Sequence, residues 1–391
     1  MHVSKRLAQI QESQTLALTK TMAKLKREGK DVVSLGAGEP DFDTPQHIKE
    51  AAIKAIQEGY TKYTPVDGAF ELKEAICDWI KTEHGAVYEP NEIVVTCGAK
   101  HAVYQAIAAV CDPGDQVLLP IPYWVSYPEM IRLAGAEVVE MTPQDSTGLK
   151  ITADQLEAAI TPKTRLLILN SPSNPSGAVY SPSELDDLAA VIQKHDIYVI
   201  SDEIYDKIVF RDRFASMTVY EQIRDKLLYV NGVSKTFAMT GWRIGFLAAP
   251  KPIAAAVANY QGHTTSNPTS ISQRAALAGY VSDKSFLKEM VTAFYQRCDY
   301  VSERIRRMPH VGYEPPQGAF YAFPDFSWYY KGEIKGSMDF CAYLLENHGV
   351  AIVPGIAFGM DTHCRLSFAT SMANLEKALD RLESGLKALA L

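Results

Sequence analysis

The chain has 391 residues, 47% of them hydrophobic, and a formal net charge of −7. That is apolar material for more than one domain, and the acidic balance argues against a nucleic-acid partner, which selects a basic face. Cys77, Cys97, Cys111, Cys298, Cys341 and Cys364 are scattered, with no CxxC pair and no zinc-site spacing, so they read as reduced thiols and not as a metal or disulfide framework. Residues 1–30 are broken by charges such as Lys5, Arg6, Glu12 and Lys20, unlike the continuous apolar stretch of a secretory leader. No run reaches membrane-span length, so the expectation is a cytoplasmic protein with no membrane partner.

Residues 7–27 read as an arm leading into an amphipathic helix. Residues 32–42 begin as a strand and end in a Gly/Pro turn. Its Gly36-Ala37-Gly38 lacks the third glycine of a dinucleotide loop, and Pro40 interrupts it, so these glycines suit close approach of backbone to a ligand. Thr44 as N-cap and Pro45 in the first turn open a helix to residue 56. The periodicity predicts another helix over 70–81. A β-branched strand over 93–96 runs into Cys97-Gly98-Ala99-Lys100 and an apolar helix over 102–110. A strand, a small-residue turn and a helix start make an anion cradle, with free amides aimed at the charge.

Further apolar runs at 115–119, 165–169, 197–200 and 227–230 predict strands, the last ending in an Asn231-Gly232 turn. Helical patterns at 128–133, 153–160 and 183–195 lie between the earlier ones. This alternation is the mark of βαβ units and a largely parallel sheet. A strand at 246–249, a helix at 252–260, a polar loop at 262–270 and a long helix at 285–308 follow. The rest mixes strands at 318–323, 350–353 and 365–368 with helices at 338–347, stopped by Gly349, and 374–389. That is the pattern of a second, smaller α/β domain.

Trp124, Asn174, Asp202 to Tyr205, and Lys235 each follow the end of a separate apolar run. In open α/β sheets that edge is where ligands bind. A lone lysine after a turn is ordinarily a solvated surface residue. Beyond a buried strand end, however, a desolvated ammonium loses its proton more easily and can form an imine with an aldehyde. Arg243, eight positions on, offers a guanidinium suited to a phosphate. An aldehyde that carries its own phosphate is pyridoxal 5'-phosphate (PLP).

The run Ser234-Lys235-Thr236-Phe237-Ala238-Met239-Thr240-Gly241-Trp242-Arg243-Ile244-Gly245 resembles the PLP-lysine signature of the class I aminotransferases. Its Ala-Met-Thr-Gly-Trp-Arg form is that of a subgroup of bacterial aspartate aminotransferases, and the similarity extends over about residues 32–369. The resemblance implies an α/β fold of the fold-type I PLP-dependent transferases: a large domain with a mostly parallel mixed sheet between helices, plus a smaller α/β domain. The expected division is an N-terminal arm at 1–13, a small domain at 14–45 with 300–391, and a large PLP-binding domain at 46–299.

The resemblance also implies roles. Lys235, Asp202 and Tyr205 would be catalytic. Asp202 would keep the pyridine nitrogen protonated, and Asn174 and Tyr205 would donate to the ring's phenolic oxygen. Trp124 would stack on the ring. Gly98, Ala99, Lys100, Ser234 and Arg243 would hold the phosphate, with Tyr63 reaching it from the neighbouring subunit, so that a homodimer has composite active sites. Gly38, Trp124, Asn174 and Arg365 would meet the substrate, Arg365 by a bidentate contact to its α-carboxylate. No metal is implied.

The reaction implied is ping-pong transamination from aspartate to 2-oxoglutarate. Alternatives are another specificity (prephenate, aromatic, alanine) or a carbon–sulfur lyase of the same fold. A non-catalytic PLP-binding regulator is disfavoured by the acidic balance. Candidates for meeting the distal side chain are Ser13, Thr15 and the loop 263–266. Gln11 and Gln14 stand in the arm where a basic residue would have favoured prephenate.

Overall fold

The computed structural model describes residues 3–8, 10, 21–22, 24–25, 27–210 and 214–390; the arm candidates Gln11, Ser13, Gln14 and Thr15 lie outside them. Twelve strands follow in chain order. These are β1 (Val33–Ser34), β2 (Ile93–Thr96), β3 (Gln116–Pro120), β4 (Glu137–Met141), β5 (Thr164–Asn170), β6 (Tyr198–Asp202), β7 (Leu227–Gly232), β8 (Gly245–Ala248), β9 (Tyr321–Ala322), β10 (Val350–Ala351), β11 (Val353–Pro354) and β12 (Cys364–Ser367).

Seven of them form one sheet in the order β2-β8-β7-β6-β5-β3-β4. Its strands are apolar without a break because both faces are covered. Alternate residues point to opposite layers: Leu118, Leu167, Val199 and Tyr229 face one core, while Val117, Ile168, Ile200 and Val230 face the other. The helices Phe70–His84, Pro182–Lys194 and Ser270–Val281 cover the first face. The helices Ala99–Val110, Tyr127–Ala134 and Lys251–Gly262 cover the second.

Only β8 runs against its neighbours, antiparallel to both β2 and β7. Its first residue, Gly245, pairs with Thr96 at the end of β2 and with Gly232 at the end of β7. One reversed strand therefore delivers its entry loop to the edge where the parallel strands finish. A separate core gathers Val33, Leu35, Phe294, Ile305, Phe320, Leu366 and Leu382 around β9, β11 and β12, which form a three-stranded antiparallel sheet. β1 pairs in parallel with β10 beside it. No helix of the described residues is long and apolar enough to cross a membrane.

Several local expectations change. The helix expected from Thr44 starts at Gln46 with Pro45 at its cap position and no side-chain cap. The Thr44 hydroxyl instead donates to the Ala238 carbonyl (2.8 Å) and accepts from the Trp242 indole (3.0 Å), tying that turn to the Lys235 segment. Asn231 and Gly232 are not a turn but the last residues of β7, held by pairing with Phe246 and Gly245. β4 and the Ser270–Val281 helix were not foreseen; β4 is an edge strand only partly buried, and the helix is apolar on too many sides for a clear stripe. The run 318–323 yields only the two-residue β9, and 350–353 splits between β10 and β11 of two different sheets.

Candidate active site

A cavity of about 400 Å³ opens where the ends of the large sheet meet the small one. Lys235 lies in the helical turn Val233–Thr236 that follows β7. Val233 and Phe237 are fully buried on either side of it, which pins the turn to the core. Lys235 itself is half-buried. Its Nζ donates to the Gly38 carbonyl at 2.5 Å and lies 5.8 Å from the ring centres of Tyr205 and Phe320. Burial pulls the ammonium down to about 8; Glu39 and Asp202 oppose the shift, and Arg365 and Arg243 add to it.

Asp202 is the last residue of β6 and is 4% exposed. Burial pushes its carboxyl up to about 6, against the pull of its hydrogen bonds and of Lys235. Those bonds come from the Tyr127 hydroxyl (2.7 Å) and the Ile204 amide (3.3 Å). Neighbouring strand ends are laced together behind it. Asn170 donates to the Asp202 carbonyl at 2.8 Å, and the Asn174 amide N–H donates to the Asn170 side chain at 2.9 Å. One residue turn beyond Asp202, the buried Tyr205 hydroxyl meets that of Tyr321 at 2.8 Å, and burial raises both phenols.

Opposite these stands a basic group of side chains and amides. Ala99 and Lys100 are the first residues of the Ala99–Val110 helix, so their amides have no carbonyl to bond within it. Arg243 has a left-handed backbone, φ 56°, uncommon for a non-glycine residue. It is braced by bonds from its guanidinium to the carbonyls of Thr240 (2.9 Å) and Cys97 (3.4 Å). Gly98 (φ 82°) faces it so closely that a Cβ there would strike the Arg243 guanidinium. Ser234 lines the same wall. Trp124, on the loop after β3, packs edge-on against Tyr127 at 5.3 Å, and the Lys100 amine sits 4.8 Å from its ring centre. Burial, and then Arg243, lower the Lys100 ammonium.

Arg365 on β12 closes the cavity from the small sheet, 2% exposed. It donates to Asn174 Oδ1 at 2.9 Å and the Gly36 carbonyl at 3.0 Å, and its Nε is buried without a hydrogen-bond partner. An orphaned donor on a buried cation is the mark of a site made to take an anion.

Thus Gly38, Ala99, Lys100, Trp124, Asn174, Asp202, Tyr205, Ser234, Lys235, Arg243 and Arg365 come together around one cavity, with Gly98 against Arg243. Tyr63 does not join them; it is 90% exposed and outside the cavity wall. The loop 263–266 is outside it too. Sequence reasoning missed Tyr127, Tyr321, Glu39 and Thr240, all of which line the cavity. Tyr127 carries the signal that found Trp124, being three residues past it where the strand-end loop enters the helix Tyr127–Ala134. Tyr321 carried only the apolar pattern of a strand.

The donor set fits pyridoxal phosphate. An amine of lowered basicity, a buried acid, two phenols, and a helix start beside an arginine match an aldehyde, a ring nitrogen, a phenolic oxygen and a phosphate. Among the described residues, no group of three or more His, Cys, Asp or Glu side chains could hold a metal.

Three comparisons agree with this geometry. The family model "Aminotransferase class I and II" matches residues 30–382. The chain is 44% identical over 395 residues to an aspartate aminotransferase of Geobacillus stearothermophilus, covering 100% of both chains. It is likewise 44% identical to an aspartate/prephenate aminotransferase of Nitrosomonas europaea, over 98% of this chain and 99% of that one. The crystal structure of the Rhizobium meliloti aspartate aminotransferase superposes with a TM-score of 0.95 at 42% identity, covering 99% of each.

Proposed function

The chain belongs to the class I and II aminotransferases, and on that footing we propose that it moves the amino group of aspartate to 2-oxoglutarate, using pyridoxal phosphate held in the cavity described above. As an aminotransferase it takes amino acids and 2-oxo acids as substrates. The observation that carries the reading is the pairing of a lysine brought down to about 8 with a buried acid raised to about 6, both at the same rim. Groups pushed toward neutrality from opposite sides mark proton-handling sites.

Bound pyridoxal phosphate supplies an aldehyde that takes up the amino group and a ring that accepts electrons from the substrate carbon. Lys235, in part unprotonated near neutral pH, would be the amine that holds the aldehyde and the base that holds and moves the proton at the substrate α carbon. Asp202, braced by Tyr127, would keep a proton on the ring nitrogen. Tyr205 and the Asn174 amide would donate to the ring oxygen. The Ala99 and Lys100 amides, Gly98, Ser234 and Arg243 would hold the phosphate, and Trp124 would stack on the ring. Arg365 would orient the substrate α-carboxylate, with Gly38 as a backbone contact to the same substrate. The two half-reactions alternate at one site, giving ping-pong kinetics.

The exposed Tyr63 supports a homodimer in which this tyrosine completes the phosphate site of the neighbouring subunit. Burial supports grouping 14–45 with 300–391, since Val33 and Leu35 share a core with Phe320, Leu366 and Leu382, a core that Met290 and Phe294 of the helix Ser285–Arg306 also enter. Six free thiols support a cytoplasmic setting. Prephenate is the second reading, favoured by the relative that carries it in its name.

The test is a visible spectrum of the holoenzyme during addition of aspartate alone, then 2-oxoglutarate. The lysine-linked absorption should bleach and return. Absorption bleached by an amino donor that returned with prephenate and not with 2-oxoglutarate would move the assignment to the second reading.

A further inference from the structure

We propose that Tyr321 is a positioning residue that couples the two ends of the cavity: its hydroxyl donates to Tyr205, and its ring is the platform on which Arg365 meets a carboxylate. The inference rests on the assignment of pyridoxal phosphate to this cavity.

The two phenols carry one hydrogen more than their shared bond uses. Tyr205 and Tyr321 are 4% and 0% exposed, and each phenol has the other as its hydrogen-bond partner, at 2.8 Å. Two O–H groups share one bond, so one hydrogen is left to donate elsewhere. Both tyrosines line the cavity. An anionic oxygen there attracts the stronger, charge-assisted bond. When Tyr205 gives its hydrogen to that oxygen, its own oxygen is left to accept, and Tyr321 is the donor in reach. Bonds in such a chain strengthen one another. Burial raises both phenols, so both remain protonated and able to donate.

The ring has a second task. Tyr321 pairs with Ser367 across β9 and β12, which makes Arg365 its diagonal neighbour. The Arg365 guanidinium lies 4.5 Å from the Tyr321 ring centre and 5.1 Å from that of Phe358. Held between two rings, with two nitrogens already bonded, it has little freedom to swing. The Tyr321 hydroxyl also comes within 3.6 Å of where a Cβ on Gly38 would stand, and the Gly38 carbonyl holds Lys235. A phenol at this position meets Tyr205, Arg365 and the Gly38 backbone that holds Lys235, and phenylalanine would keep only the ring part of that set.

The experiment compares Tyr321→Phe, Tyr321→Leu, Tyr205→Phe and the Phe/Phe double variant as holoenzymes. One readout is the pH titration of the lysine-linked visible absorption. The charged groups that bear on Lys235 (Glu39, Arg365, Arg243 and Asp202) are the same in all of them. The other readout is the dissociation constant of succinate, an unreactive dicarboxylate. A strong donor on the ring oxygen loosens the proton on the lysine link, so losing the Tyr321 hydroxyl should raise the titration midpoint by roughly half a pH unit to one unit. Succinate binding to Tyr321→Phe should stay within about twofold, while Tyr321→Leu should weaken it about fivefold or more. The double variant should titrate like Tyr205→Phe alone, because the effect runs through Tyr205. A Tyr321→Phe midpoint equal to wild type, or additive shifts in the double variant, would overturn the hydroxyl link. Unchanged succinate binding in Tyr321→Leu would overturn the platform. A wild-type protein with no lysine-linked absorption would defeat the cofactor assignment, and this inference with it.

Discussion

The acid end and the basic end of the cavity hold buried charge in opposite ways. Asp202 receives one phenol and one amide and makes no ion pair among the described residues; burial prevails, and its carboxyl rises to about 6. Arg365 is as deeply buried, but two oxygens and two aromatic faces grip it. An acid can await its partner by taking up a proton. A guanidinium cannot shed one at any physiological pH, so it needs neutral acceptors and ring faces to stay in place. The first end responds to pH, and the second is pre-set.

The largest effect comes from removing the group that serves both ends. Lys235→Ala should lower steady-state amino transfer at least about a thousandfold, and activity within tenfold of the parent would dissolve the site as drawn here. Asp202→Asn should cut kcat about a hundred- to a thousandfold, since an amide cannot hold the ring proton, with the KM for aspartate little changed. Arg365→Lys should do the reverse, raising KM about thirtyfold or more through loss of the bidentate fork while kcat falls less. If both variants lost kcat and KM alike, the two ends would not be separable.

The smallest effect is on stability and tests the pH-responsive end alone. Folding raises the Asp202 carboxyl from 3.8 to about 6. The folded protein therefore binds this proton more tightly than the unfolded chain does. The stabilisation is fully present below the unfolded value and is lost as pH rises through the folded one. Above about pH 6 the cofactor-free protein carries a charge that burial disfavours, and asparagine does not. Cofactor-free Asp202→Asn should thus melt a few degrees above wild type at about pH 8, the gap closing toward about pH 4. A gap that stayed constant with pH would mean that Asp202 is not the group responsible.

Much of this was legible from residue order. The strand tips bearing Asn174, Asp202 and Lys235 could be found because strands buried on both faces are uninterrupted apolar runs, and their ends are abrupt. Arg243 was legible from its distance to Lys235, although the reversed direction of the strand that leaves the rim just after it was not. The Thr44 hydroxyl deceived because a threonine before a proline looks the same whether it caps a helix or bridges to Ala238. Tyr127 and Tyr321 escaped notice because buried aromatic residues satisfy the pattern of a core whether or not their hydroxyls do chemistry.

Residue order by itself determined the sheet's strands, its rim and the chemical types standing there, since burial on both faces is written locally as an unbroken apolar run with an abrupt end. Only the tertiary structure decided which tips meet. The Tyr205–Tyr321 and Asn174–Arg365 contacts join residues 116 and 191 positions apart. Such pairings are set by how one sheet packs against another, and no local period in the chain encodes that packing.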